Sequence, residues 1–311
     1  MSWSTADIPD QGGRTAVVTG ANGGLGLETA RALALAGAEV VMAARDQEKA
    51  ARAEAEIRGE APDASLSVVA LDLGSQASVR EAAERILADH DTVDLLINNA
   101  GVMGVPEART ADGYELQLGV NHLGHWSLTA VLLPALLRAD AARIVTVTST
   151  AHLYARPVNP DNPHLEGRYG PWRAYGQAKL ANFHFGLGLD RELRDAGAAA
   201  ASLIAHPGLS NTELQAVSVR ETGGGRSQRF FHMAASRTGM SPAQGALSQL
   251  RAATDPSARG GQFYGPLLVS NGPPVRKPVL RRLGMGRAID RLWEVSERET
   301  GIELRPSSPP D

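Results

Sequence analysis

The feature that most constrains the fold lies near the start of the chain. Thr15 to Thr19 read TAVVT, a short β-branched run with the character of a buried strand. Gly20-Ala21-Asn22-Gly23-Gly24-Leu25-Gly26 follows, then LETARALALAGA, a stretch of strong helix formers. Strand, glycine turn and helix in that order make the first half of a βαβ unit. Glycines permit the tight turn and let the backbone approach a pyrophosphate seated at the positive end of the helix. The competing reading is an ordinary glycine-rich turn, which its position after the first strand of an α/β chain disfavours.

The alternation continues. Strands are expected near 14–20, 39–44, 66–71, 93–97, 142–149, 200–206 and 261–264, and helices near 24–37, 47–59, 76–90, 112–138, 173–196 and 242–254. A length of 311 residues would allow two domains. Unbroken alternation to about Tyr264 favours one doubly wound α/β domain over 12–268, with a flexible N-terminus over 1–11. A C-terminal tail over 269–311 would carry one amphipathic helix near 286–299 and a disordered end, PSSPPD.

Tyr175 and Lys179 are four residues apart on an expected helix, so a phenol and an ammonium share one face. A free tyrosine titrates near ~10, and a neighbouring cation favours the phenolate. Such a tyrosine can pass a proton to or from a substrate oxygen. Y-x-x-x-K alone is a weak signal. Ser149, at the end of an apolar run upstream, and the glycine loop strengthen it.

Together these motifs resemble the short-chain dehydrogenase/reductase family. The loop is spaced T-G-x-x-x-G-x-G through Thr19, Gly20, Gly24 and Gly26, Asn98-Asn99-Ala100-Gly101 reads N-N-A-G, and Asn121 stands in VNHLG. Thr148-Ser149 and Pro207-Gly208 with Thr212 match further family positions, so the resemblance spans about residues 12 to 265. It implies a single-domain Rossmann fold with a seven-stranded parallel sheet ordered 3-2-1-4-5-6-7. It also implies hydride transfer between a nicotinamide and a carbonyl or alcohol carbon. Tyr175 would then be the acid/base, and Ser149 would hold the substrate oxygen. Lys179 would lower the tyrosine pKa and bind the nicotinamide ribose, while Asn121 would anchor a water chain to Lys179. The glycine loop, including Asn22, Gly23 and Leu25, would hold the pyrophosphate. Asp72 and the Leu73 backbone would meet the adenine. Asn99, Ala100 and Gly101 would close the fourth strand against the cofactor, and Pro207, Gly208 and Thr212 would hold the carboxamide. AARDQEKA, LDL, SPAQGA and GGQFYGP are similar to the retinol dehydrogenase and WW-domain oxidoreductase branch. Two positions depart from the family: Gly23 stands where close relatives often have Ser, and Ala178 replaces the Ser common before the lysine.

NAD enzymes usually end the second strand with an acid that bonds the ribose 2′-hydroxyl. Here that position is Ala44, followed by Arg45. A guanidinium can pair with a 2′-phosphate, so NADP(H) is expected over NAD(H). Asp46 could instead neutralise Arg45 or contact a ribose. Asp72 could also serve as a helix cap.

Two loops are expected to shape a pocket for a small carbonyl or alcohol substrate. Residues 153–174 carry Tyr154, Tyr169 and Trp172. Residues 209–240 carry Gly223-Gly224-Gly225 as a hinge, with Leu214, Phe230, Phe231 and Met233 as an apolar lid or, equally, a surface helix pair. His122 and His125 lie three apart, but no H-E-x-x-H occurs and no metal site is indicated. His206 reads as structural. The run from Arg276 to Arg291, with six Lys or Arg, reads as a solvated face.

A net charge of −3 points to no nucleic-acid partner. The chain has no cysteine, which fits a reducing compartment. MSWSTADIPDQGG lacks a signal h-region and a spanning stretch. Animal retinol dehydrogenases commonly carry an anchor there, so a soluble, cytoplasmic relative is expected. Dimers and tetramers are common in the family, and a monomer stays open. Two other activities were weighed. A C=C reductase of the protochlorophyllide reductase type is disfavoured by the missing cysteine. A catalytically silent nucleotide-binding regulator is disfavoured by the intact Ser149, Tyr175 and Lys179.

Overall fold

Valine, alanine and leucine crowd the strands because both faces of the sheet are covered. A computed structural model of the protein describes residues 2–209, 239–280 and 283–306. All positions of β1 (Thr15–Thr19) and β4 (Leu95–Asn98) are buried. Along β1, Val17 faces one core with Leu96, while Ala16 and Val18 face the other with Leu95 and Ile97. Helices α1 (Gly24–Leu35) and α2 (Gln47–Glu60) pack on one side, joined by α7 (Pro242–Thr254). On the other side lie α3 (Gln76–Asp89), α5 (Gly124–Arg138) and α6 (Pro171–Asp195).

The remaining parallel strands are β2 (Glu39–Ala44), β3 (Leu66–Ala70), β5 (Arg143–Val147), β6 (Ala201–Ala205) and β7 (Phe263–Pro266). The order β3-β2-β1-β4-β5-β6-β7 is the one the family resemblance implies. β1 pairs with β2 on one side and β4 on the other, so the order reverses there. A crevice opens beyond the carboxyl ends of the strands at such a reversal.

The described residues depart from the expected layout in three places. An eighth strand, β8 (Pro274–Lys277), pairs antiparallel with β7, so the sheet reaches past residue 268. The helix expected over 112–138 is divided: α4 (Leu116–Leu118) runs through a π turn (Gly119–Leu123) into α5. Its expected first turn is instead a tight reversal, with an Arg109–Glu115 bridge and Gly113 at φ +86. The first residues also make contacts with the domain. Ser4 starts a 3₁₀ turn over Thr5–Asp7, Trp3 and Ile8 lie against the core, and the Gln11 N–H donates to the Ala36 carbonyl at 2.7 Å.

The expected C-terminal helix is α8 (Met285–Thr300), and it belongs to the fold. Ile289, Leu292 and Val295 form its buried stripe. Trp293 meets Trp126 edge-on at 5.0 Å and lies 5.8 Å from Phe185. Gly188 of α6 makes this approach possible, because a Cβ there would collide with the Trp293 ring. Within the basic run, Arg276, Arg287 and Arg291 are exposed, and Arg281 and Arg282 lie outside the described residues, as do the last five residues of the chain. Trp293→Ala is expected to destabilise the protein by about 3 kcal/mol in urea unfolding. An unchanged midpoint would mean that α8 does not hold the core.

Candidate active site

The glycine turn places backbone N–H groups at the crevice. Gly20 and Gly24 have φ of +69 and +53, a region that disfavours other residues. A Cβ on Gly26 would collide with the Gly20 carbonyl. Asn22 and Leu25 sit half-buried on the turn. Asp46, Ser75 and Ser241 cap α2, α3 and α7 through their side chains. The N-terminus of α1 starts at Gly23 with no side-chain cap and no acid in its first turn. Those N–H groups and the helix dipole suit an anion. Nothing lies within 4 Å of a Cβ built on Gly23, so a serine would fit there without displacing a neighbour.

Arg45 follows β2 and is exposed; no hydrogen bond or ion pair to a described residue ties its guanidinium. Asp46 is engaged as the α2 cap, accepting the Lys49 N–H at 3.0 Å. Asp72 accepts the Gly74 N–H at 2.8 Å, and its own N–H donates to Ser78 Oγ at 2.9 Å. The cap of α3 is Ser75, not Asp72. Leu73 is buried, with its carbonyl against Gly124, where a Cβ would not fit.

Thr19 joins this end to the far wall. Its Oγ1 accepts the N–H groups of Asn99 and Ala100 at 2.9 and 3.0 Å, and its carbonyl accepts Asn99 Nδ2 at 2.8 Å. Gln249 of α7 donates to Asn99 Oδ1 at 3.2 Å. A Cβ on Gly101 would lie 2.8 Å from Asn121 Oδ1 and 3.6 Å from Lys179 Nζ, so this glycine keeps open the space between them. The Asn121 side chain is tied to Val102 and keeps one N–H and one lone pair beyond those bonds. Its Oδ1 accepts the Val102 N–H at 2.7 Å, its Nδ2 donates to the Val102 carbonyl at 2.9 Å, and its own carbonyl lies 3.0 Å from His125 Nδ1.

Ser149 stands close enough to the Tyr175 phenol to influence its titration. Ser149 ends the segment after β5 and caps a 3₁₀ turn over Thr150–Leu153. The Thr148 hydroxyl donates to the Lys179 carbonyl at 2.6 Å, locking α6 onto that segment. Tyr175 is buried, and burial raises its pKa above 10, eased by Ser149. Desolvation sets the direction of the shift here. Lys179 Nζ lies 5.9 Å from the Tyr175 ring centroid and donates to the Val147 carbonyl at 3.1 Å. It too is buried, and desolvation lowers its pKa to about 8. In this environment both groups are held protonated at neutral pH. The ammonium has two further N–H donors, a suitable arrangement for ribose hydroxyls.

Of the loop aromatics, Tyr154 is exposed, and Tyr169 donates to the Val105 carbonyl at 2.7 Å, its pKa pushed up to about 12 by burial. Trp172 is 38% exposed and meets Tyr175 edge-on at 6.0 Å. An apolar cavity of about 210 Å³ is lined by His152, Leu180, Phe183, Phe263 and Met285 among others, and its walls include none of Ser149, Tyr175 and Lys179. His152 stacks on Phe183 at 4.5 Å, and its Nδ1 is 2.6 Å from the Ser149 carbonyl. Pro207 and Gly208 follow β6. Gly208 has φ +73, and its N–H donates to His206 Nδ1 at 3.1 Å; burial lowers the His206 pKa to about 4. Thr212, Leu214, Gly223-Gly224-Gly225, Phe230, Phe231 and Met233 lie outside the described residues.

His125 and Gln249 were not recognised from sequence as parts of this site. His122 and His125 do not converge: Nε2 of His122 meets Ser296 Oγ, and Nε2 of His125 meets Thr19 Oγ1, each at 2.9 Å. The one available signal was that His125 stands four residues after Asn121, on the same helical face.

Residues 14–222 match the family model for short chain dehydrogenase, and the chain belongs to that family. It is 43% identical to Retinol dehydrogenase 13 of Homo sapiens over 68% of this chain and 62% of that protein. With Polyprenol dehydrogenase of Mus musculus it shares 44% identity over 67% of this chain and 63% of that protein. The chain thus spans less than two thirds of these relatives. An uncharacterized protein from Mycobacterium Paratuberculosis has a crystal structure with TM-score 0.79 and 38% identity, covering 98% of this chain and 100% of that one. The cytoplasmic assignment does not stand. Its relatives are named for retinol and polyprenol, apolar alcohols that partition into membranes, and the polar first residues of this chain assign no compartment. Among the described residues no helix is long and apolar enough to cross a membrane.

Burial of Lys179 has a measurable consequence. Its ordinary value is 10.5 and its folded value about 8, so the unfolded chain binds more protons between those limits. Stability therefore rises with pH across that window, and the cost of burying the charge is fully present below it. Lys179→Met is expected to stabilise the protein by on the order of 1–3 kcal/mol at pH 7. In urea unfolding at several pH values, the gain should shrink between pH 8 and 10.5; a destabilised variant at pH 7 would contradict this.

Proposed function

We propose that this short chain dehydrogenase is an NADP(H)-dependent oxidoreductase that interconverts a carbonyl and an alcohol on a small apolar substrate, with Tyr175 as general acid/base. One observation carries the reading: a buried phenol, whose titration Ser149 eases, stands beside a buried ammonium on the helix that packs against the end of β5. Perturbed titratable groups gathered in a crevice mark functional sites.

The glycine turn and uncapped N-terminus of α1 would hold the pyrophosphate, and Asp72 with the Leu73 backbone the adenine. Asn99, Ala100 and Gly101 would wall the cofactor, and Pro207, Gly208 and Thr212 its carboxamide. Arg45 is the group suited to a 2′-phosphate, being exposed with no described partner while Asp46 caps α2. The bound cofactor supplies hydride to the carbonyl carbon, or takes it from the alcohol. Tyr175, protonated at neutral pH, gives its proton to the substrate oxygen in reduction. Ser149 donates a hydrogen bond to that oxygen as negative charge grows on it. Lys179 stabilises the phenolate that remains and binds the nicotinamide ribose. Burial makes each of these charge interactions stronger than it would be in water. The names of the retinol and polyprenol dehydrogenases to which the chain is similar favour an apolar substrate.

Tyr175→Phe is expected to lower carbonyl reduction with NADPH by about 10²–10⁴-fold. Its NADPH dissociation constant should stay near wild type. In the parent protein, reduction should hold from pH 6 to about 8 and fall above it as Lys179 loses its proton. Full turnover in Tyr175→Phe would overturn the proposed role.

A further inference from the structure

The Thr19 hydroxyl has a hydrogen-bonding problem that only one neighbour solves well. Both its lone pairs are taken by the N–H groups of Asn99 and Ala100, so its single proton must be donated. Two acceptors are in reach: His125 Nε2 at 2.9 Å and the Ile97 carbonyl at 3.2 Å. The other nitrogen of His125, Nδ1, lies 3.0 Å from the Asn121 carbonyl. A carbonyl can only accept, so Nδ1 carries the proton and Nε2 is left bare to receive the Thr19 hydroxyl. Every polar atom of this buried set is then satisfied, with the tautomer fixed by geometry. Burial and the charge of Lys179 keep the ring neutral, its pKa lowered to about 4.

We propose that His125 is a positioning residue for the nucleotide: by accepting the Thr19 proton and donating to Asn121, it sets the 99–101 wall and the Asn121 turn in one register. The inference rests on the nucleotide reading above. Thr19 is followed directly by the glycine turn, and Asn121 faces Gly101 and Lys179 across the space that a Cβ would fill. One imidazole thus spans from the first strand to the π turn, Gly119–Leu123, in front of α5. Such π turns often mark functional positions. Without the ring nitrogen, Thr19 turns its proton to Ile97 and the Asn121 carbonyl loses its donor. The wall then loses its tie to the lysine side of the crevice.

Calorimetric titration with NADPH tests this, with thermal unfolding run beside it. His125→Phe keeps the ring volume and removes both nitrogens; it should weaken NADPH binding by roughly 10- to 100-fold in folded protein. His125→Gln offers an oxygen to Thr19 and should stay within about threefold of wild type. Thr19→Val removes that bond and also the acceptor of the Asn99 and Ala100 N–H groups, so its loss should be at least as large; should His125→Phe fail to fold, wild-type affinity in Thr19→Val still overturns the proposal. Adding His125→Phe to Thr19→Val should cost little more than Thr19→Val alone, because the linkage is then already broken. Wild-type affinity in folded His125→Phe or in Thr19→Val would overturn the positioning role. So would losses that simply multiply in the double variant, or a Gln variant as weak as Phe. Failure of the parent protein to bind NADPH would overturn the nucleotide reading itself.

Discussion

The fold and the site meet at the seam between β1 and β4. Parallel strands leave their carboxyl ends on one edge, and here the order reverses. Backbone groups just past the strands would be unpaired at such a place. The Thr19 hydroxyl takes two of them, the N–H groups of Asn99 and Ala100, and its carbonyl takes the Asn99 amide. Buried polar groups left without partners are costly, so this set is satisfied almost atom for atom. The consequence is geometric. The glycine turn on one side and the N-N-A-G wall on the other are held as one rigid crevice.

The second constraint is desolvation. Tyr175 and Lys179 are both buried, and burial moves their pKa values in opposite directions, raising the phenol and lowering the ammonium. The protein accepts a stability cost to keep a charge beside the reacting group, as functional sites often do. The hydrogen bond from Lys179 to the Val147 carbonyl offsets part of that cost.

Much of this was legible in sequence, for identifiable reasons. Continuous apolar runs located the parallel strands because both faces are buried. β2 and α7 were expected at their observed bounds. Four-residue spacing put Tyr175 and Lys179 on one face whatever the surroundings. What escaped depends on contacts distant in sequence. β8 is four residues between prolines and polar turns, with no alternation to read. The docking of α8 relies on Gly188, a helix-interior glycine that propensity alone would count as a defect. The direction of the Tyr175 shift depends on burial, which a local motif does not reveal. His125 looked like half of a weak metal pair, since nothing local reveals that its partner is Thr19, 106 residues earlier. The compartment was misjudged because a polar N-terminus says only what those residues are.

The most direct test of the account is a calorimetric titration of the purified protein and of Arg45→Ala with NADPH and with NADH. The account predicts that the parent protein binds NADPH more tightly, and that Arg45→Ala brings NADPH down toward the NADH value while leaving NADH unchanged. Preference for NADH, or an Arg45→Ala variant that discriminates as well as the parent, would contradict it.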